Sequence, residues 1–171
     1  MKVIFVRHGA PDYSELEERS YTGFGLDLAP LSEQGRRQAQ ELCQHPLLRS
    51  ADLLVSSAVT RALETASYVA CATALPLRVE PLLHEWQVYE TGVENFEKAR
   101  SLFLENNGAL LPNSPIQYET AAEMKARFID CMAKYRDYQT VVLVAHRMLI
   151  RQFVPNETID FCQVIECEIE I

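Results

Sequence analysis

The sequence predicts an α/β fold: a three-layer α/β/α sandwich with a mostly parallel central sheet, built by one domain over residues 1–171. Three observations predict it. Short apolar runs rich in β-branched residues, at 2–7, 53–55 and 141–144, lack polar alternation, as strands buried on both faces do. Segments with helical spacing of apolar residues separate them, so strand and helix alternate along the chain. The composition is that of an ordinary globular domain, with 48% apolar and 23% charged residues in 171. A chain of this size buries about 70% of its unfolded surface, enough for a core without metal or disulfide staples.

Residues 2–7 give the first strand. The next segment, to residue 31, holds Gly9, Pro11, Gly23, Gly25 and Pro30 and reads as a long loop, with room for one helical turn at Ser14–Arg19. Loops of that length in compact domains usually serve function. Ser32 is a good N-cap for a helix to about Gln44, with Ala39, Leu42 and Cys43 inward and Pro46 beyond its end. Leu53-Leu54-Val55 marks the second strand, and Ser56 or Ser57 is expected to cap a helix to Thr73. On that helix Val59, Ala62, Ala66, Val69 and Ala70 share one face. Leu77–Glu80 is the third strand, and 81–92 reads as irregular. A helix over Glu94–Asn106 should turn Phe96, Ala99, Leu102 and Phe103 inward. A Pro-containing loop, Gly108–Tyr118, leads to a helix over Glu119–Tyr135 with Ala122, Ala126, Ile129 and Met132 toward the core. Thr140–Ala145 is a central strand, followed by a short helix to Phe153. Cys162–Ile171 alternates apolar residues with Glu, which suits an edge strand with one wet face, able to pair across a homodimer.

The formal net charge is −8, which argues against a nucleic-acid or anionic-membrane surface. No apolar stretch approaches the roughly 20 residues of a membrane span. Met1–Val6 is too short an apolar run for a signal peptide and reads as the strand itself. The five cysteines are odd in number and no pair has CxxC spacing, which fits reduced thiols in a cytoplasmic protein. The four histidines are scattered, so no metal site is expected.

Open α/β sheets bind ligands beyond the carboxyl ends of their strands. There the sequence places Arg7-His8-Gly9 after the first strand and Ser56-Ser57 after the second, with Arg61 one turn later. Leu83-His84-Glu85-Trp86 follows the third, and Ala145-His146-Arg147 follows the Val141–Val144 run. Each residue alone has an ordinary explanation, such as an i,i+3 pair between Arg61 and Glu64 or a turn histidine at His8. Together these groups would repel one another unless they share an anion. Arginine forks match phosphate oxygens, a neutral histidine nitrogen can attack phosphorus, and a carboxylic acid can protonate a leaving oxygen. The combination suits phosphoryl transfer without a metal or other cofactor.

Arg7-His8-Gly9 after the first strand resembles the signature of the histidine phosphatase superfamily, the phosphoglycerate-mutase-like proteins. Further resemblances follow in the family's order: Tyr21-Thr22-Gly23, Pro30-Leu31-Ser32-Glu33-Gln34-Gly35, the run from Ser56 to Ala66 around Arg61, Leu83-His84-Glu85, and Val144-Ala145-His146. The resemblance implies that His8 is the nucleophile and becomes phosphorylated. It implies that Arg7, Arg61 and His146 hold the phosphoryl group, and that Glu85 is the general acid and then the base. It places Thr22 and Gly23 near the substrate, and Ser14 where many members carry Asn. The implied activity is hydrolysis of a small phosphorylated metabolite.

Three departures from the family pattern stand out. Arg147 replaces the small residue usual after the second histidine, Ala145 stands where Ser is common, and Ala10-Pro11-Asp12 replaces the Glu that often follows the first motif. Two alternatives accompany the hydrolase reading. One is a phosphoglycerate-type mutase, for whose substrate-enclosing insertions 171 residues leave little room. The other is a phospho-ligand-binding domain with little turnover, motivated by Arg147.

Overall fold

Apolar residues on successive positions of the strands point alternately to two faces, and both faces are covered. In the computed structural model, which describes residues 1–90, 92–154 and 158–171, a five-stranded sheet carries two apolar clusters. Val3, Phe5, Leu53, Val55, Val141 and Leu143 face one cluster; Ile4, Val6, Leu54, Val142 and Val144 face the other. This is the two-sided burial that the continuous apolar runs predict.

The strands are β1 (Lys2–Arg7), β2 (Leu53–Ser57), β3 (Leu77–Glu80), β4 (Thr140–Ala145) and β5 (Val164–Glu168), in the order β3-β2-β4-β1-β5. All neighbours pair in parallel except β5, which runs antiparallel to β1 at the edge. The helices are α1 (Ser14–Glu18), α2 (Glu33–Leu42), α3 (Thr60–Thr73), α4 (Val93–Glu105), α5 (Ala121–Met132) and α6 (Arg147–Ile150). Residues of α3 and Leu42 of α2 belong to one cluster, and those of α4, α5 and α6 to the other. Helices thus lie on both faces of the sheet, in three layers. Among the described residues, no helix is long and apolar enough to cross a membrane.

Several expectations need correction. Ser32 caps α2 as expected, its hydroxyl accepting the Gly35 N–H at 3.0 Å. Neither Ser56 nor Ser57 caps α3: both lie within β2, Val59 is the cap residue, and the Ser57 hydroxyl is drawn into the site below. The buried face of α5 is Met124, Arg127, Phe128, Cys131 and Met132, while Ala122 and Ala126 are exposed. The phase shifts because a buried arginine, Arg127, is neutralised by Glu119, its Nε and a terminal nitrogen donating to the two carboxylate oxygens at 2.5 and 3.0 Å. Phe96 is half-exposed, its ring edge-on to buried Trp86 at 5.6 Å rather than inside the core. The loop after β1 contains a 3-10 helix, Gly23–Leu28, that the sequence reading leaves as coil, and another short 3-10 turn, Pro81–Leu83, lies in the segment read as irregular. Thr91 in that segment lies outside the described residues. All five cysteines are free.

Candidate active site

Sheet register brings the distant motifs together. In β1 and β4, Arg7 lies opposite Ala145, and the ladder runs one residue further with the His8 N–H donating to the Ala145 carbonyl at 3.1 Å. His8 and His146 therefore leave adjacent strands side by side, their ring centroids 5.2 Å apart. β2 pairs with β4 on the other side, Ser56 opposite Val144, so Ser57 leaves its strand beside His146.

The backbone around His8 is held by close packing. A Cβ on Gly9 would meet the Gly35 carbonyl oxygen at 2.7 Å, and one on Gly35 would meet the Ala10 carbonyl oxygen at 2.1 Å. Only two glycines let the start of α2 approach the turn after β1 this closely. The Gly9 N–H also donates to Thr65 on α3 at 3.0 Å, and the Thr65 hydroxyl donates back to the Arg61 carbonyl at 2.8 Å. One short chain of bonds thereby fixes the nucleophile candidate relative to the helix that carries Arg61.

Partners assign the tautomer of His8. Its Nδ1 lies 2.8 Å from the Gly9 carbonyl oxygen, which can only accept, so Nδ1 carries the proton. Nε2 keeps its lone pair and accepts the Arg61 Nε–H at 3.3 Å. The ring is 4% exposed; burial, then Arg61, pushes its pKa down to about 3. His8 is therefore neutral, with its Nε2 lone pair directed to Arg61 and not protonated. His146 is fully buried, with Nε2 2.9 Å from the Ser57 hydroxyl. That hydroxyl also accepts the Val59 N–H at 3.3 Å and can donate its own hydrogen to Nε2, in the tautomer that carries the His146 proton on Nδ1. Burial first, then His8 and Arg61, lowers the His146 pKa well below its ordinary value.

Glu85 closes the third side. One carboxylate oxygen accepts the Trp86 N–H at 2.9 Å, and the other lies 3.9 Å from His146 Nδ1. Burial raises the Glu85 pKa, opposed next by Arg61. Trp86 anchors this turn, its indole N–H donating to the Glu119 carbonyl at 2.6 Å and its ring packing against Phe103 and Tyr118. Arg127 ties the same turn to α5 by donating to the Leu82 carbonyl at 2.5 Å.

Arg7 lies under the site. It donates to the Ile159 carbonyl at 2.6 Å, and its guanidinium carbon stands 3.8 Å from the Phe161 ring centroid. Burial, then Arg147, lowers its pKa, so these two cations lie within electrostatic range of each other. Of three buried side-chain nitrogens without a hydrogen-bond partner among the described residues, two are Arg7 Nε and His146 Nδ1. Two of the three thus fall in one pocket, where a bound ligand, ion or water would satisfy them. Donor atoms of His8, Glu85 and His146 lie within 4.8 Å of one another, a spacing a cation could use. The Arg61 guanidinium beside His8 Nε2 places positive charge there and favours an anion instead.

The structure thus brings together Arg7, His8, Arg61, Glu85 and His146. It leaves Ser14, Thr22 and Gly23 in the outer loop. The Ser14 hydroxyl donates to Asp12 at 2.6 Å, and Thr22 is exposed. Gly23 opens the 3-10 helix with a φ of 55°, a left-handed value that suits glycine. Among the described residues none of the three hydrogen-bonds to the five. Four neighbours were given no site role from sequence. Ser57 orients His146. Asp27 lies 3.5 Å from both terminal nitrogens of Arg61. Tyr13 is half-buried, within electrostatic range of Glu85, Arg61, Asp27 and Arg7. Phe161 lies under Arg7 and beside His8. Only Ser57 carried a signal, its place at a strand's carboxyl end. The helix after His146 has four residues, so it adds little of the dipole a longer helix would supply.

Residues 3–156 match the sequence profile described as the histidine phosphatase superfamily (branch 1). The chain is 26% identical over 156 residues to the adenosylcobalamin/alpha-ribazole phosphatase of Escherichia coli (strain K12), covering 86% of this chain and 74% of that protein. It is 26% identical to a solved mycobacterial glucosyl-3-phosphoglycerate phosphatase, with a TM-score of 0.65 over 88% of this chain and 76% of the other. A likeness of fold alone extends to Bacillus stearothermophilus YhfR, 19% identical, with a TM-score of 0.75 over 99% of this chain and 91% of that one.

Proposed function

Because the chain belongs to the histidine phosphatase superfamily (branch 1), we propose that it is a phosphatase that hydrolyses a small phosphorylated metabolite through a phosphohistidine on His8. The observation that carries this reading is the state of His8: neutral, with its Nε2 lone pair beside Arg61 and its other nitrogen tied to the Gly9 carbonyl. That is the tautomer a nucleophilic histidine needs. The two relatives of 26% identity are both named as phosphatases, of different compounds, which supports the reaction and leaves the alcohol portion of the substrate open.

In the first step His8 Nε2 attacks phosphorus, the bond to the ester oxygen breaks, and Glu85 gives its proton to that oxygen. Arg7, Arg61 and the Nδ1–H of His146 bind the three phosphoryl oxygens and offset the charge developing on them. In the second step Glu85, now ionised, takes a proton from water as the water attacks phosphorus. The N–P bond breaks, and inorganic phosphate leaves with Glu85 protonated again. A Glu pKa raised by burial suits a group that must donate before it accepts. The side chains in the pocket supply the acid and the countercharge, so the cycle as written uses no metal.

A panel of phosphate monoesters assayed with and without EDTA tests the proposal. Release of inorganic phosphate that withstands EDTA is expected. Absence of release from every ester by folded protein, or loss of turnover with EDTA, would end it. Turnover only in the presence of a bisphosphorylated primer would point to a mutase.

A further inference from the structure

The side chain of Arg61 is 5% exposed and has its donors divided. In the resting site its Nε–H is given to His8 Nε2, a bond that attack by Nε2 on phosphorus would release, and the two terminal nitrogens carry its other four N–H groups. Both face the same Asp27 oxygen, each at 3.5 Å. This is a long, end-on contact to one oxygen, not the paired fork of a strong arginine–carboxylate bond. Among the described residues the Asp27 carboxylate has no other hydrogen-bond or ion-pair partner.

Asp27 sits in the exposed 3-10 helix over Gly23–Leu28. That loop is fastened to α3 independently and more tightly at its far end. The Leu31 N–H donates to Glu64 at 2.7 Å, and Arg36 donates to the other Glu64 oxygen at 2.8 Å. Asp27 can therefore withdraw from Arg61 without undocking the loop. It is also the more accessible partner, 28% exposed.

We propose that Asp27 sets the affinity of the phosphoryl pocket: it is a resting counter-ion of Arg61 that the incoming phosphoryl group displaces. This rests on the reading of the pocket as a phosphoryl site. The terminal nitrogens carry four N–H groups, but an anion brought to them beside the Asp27 carboxylate is repelled by it, so phosphoryl binding works against the Asp27 contact. The pocket consequently holds inorganic phosphate less tightly than its cations would allow, and returning Asp27 to Arg61 favours product departure. A residue that merely oriented Arg61 would have the opposite effect on affinity when neutralised.

Calorimetric titration of inorganic phosphate into wild type, Asp27→Asn and Asp27→Ala separates these cases without requiring turnover. Loss of a partly exposed ion pair should tighten phosphate binding about fivefold in both variants. Inhibition of ester hydrolysis by phosphate should strengthen by the same factor. Unchanged or weaker binding in both variants, with wild type binding normally, overturns the role of Asp27 alone. Failure of folded wild type to bind phosphate at millimolar concentration overturns the phosphoryl pocket and this role with it.

Discussion

The Glu85 carboxylate and the His146 ring meet across the pocket, Oε2 to Nδ1 at 3.9 Å, with burial pushing the Glu85 pKa up and the His146 pKa down, each toward its uncharged form. Because the acid form of Glu85 protonates the leaving oxygen, activity should fall as pH rises through its pKa. Burial puts that pKa above the usual carboxylate value, so the decline should begin at a higher pH than an exposed Glu would give. Glu85→Gln should remove this limb. It should slow alkyl phosphates on the order of 10²–10⁴-fold and activated aryl phosphates far less, since the latter need little protonation. Steady-state kinetics on both ester classes checks it. Equal losses on the two would mean that Glu85 only supports the Trp86 turn.

The tautomer of His8 predicts where label from the substrate will be found. Rapid quench after mixing with labelled ester should trap a phosphoprotein that is labile in acid and stable in base. His8→Ala should abolish trapping and lower turnover by about 10³-fold or more. His8 should stay neutral over the working range, since its pKa is near 3. Label on Ser or Asp would refute the assignment.

The same burial makes the fold sensitive to acid. His8 titrates near 3 in the folded protein against 6.5 in its ordinary state. Between those values the unfolded chain binds a proton that the native one refuses, so stability falls as pH drops from 6.5 toward 3. At pH 5 the loss from His8 alone should be about 2 kcal/mol, and His146 adds to it in the same direction. Urea unfolding at several pH values checks this. His8→Asn, which keeps an N–H for the Gly9 carbonyl, should lose about 1.6 kcal/mol less between pH 6.5 and 5. Parallel pH curves for the two proteins would mean that His8 is not held neutral.

How much of this was legible in the sequence depended on whether a residue's position follows from the strands. Lys2–Arg7 and Thr140–Ala145 declared themselves by continuous apolar runs, and parallel pairing then obliged His8 and His146 to emerge together. Arg61 and Glu85 stand within a few residues of a strand's carboxyl end, so the same rule reached them. Arg127 misled the phase of α5, because a buried cation cannot be told from a surface one until its partner Glu119, outside the helix, is placed. Asp27, Tyr13 and Phe161 escaped notice because they reach the site through loop paths that no periodicity encodes. The loop that delivers Asp27 is anchored at its far end by the Leu31 N–H bond to Glu64, 33 residues further along the chain.

Arg147 is the departure from the family pattern with the most to say about substrate. It opens α6 directly after His146, is half-buried, and among the described residues its side chain has no hydrogen-bond or ion-pair partner. It lies close enough to lower the pKa of Arg7. A cation left unpaired beside a phosphoryl pocket either contacts a second anionic group on the substrate or narrows the entrance. The first role predicts that Arg147→Gly weakens hydrolysis of esters bearing an additional carboxylate or phosphate and spares simple monoesters. The lost charge-assisted bond is worth about 1.5–3 kcal/mol, roughly ten- to a hundredfold or more in kcat/KM. The blocking role predicts that the same change raises kcat/KM on every ester together. The position beside Arg7 favours the first, because two repelling cations are relieved by an anion between them and gain nothing from an empty entrance. Kinetics of Arg147→Gly on one simple ester and one with a second anionic group decides it: a selective loss supports substrate recognition, a uniform gain supports blocking, and unchanged values on both leave Arg147 a surface residue.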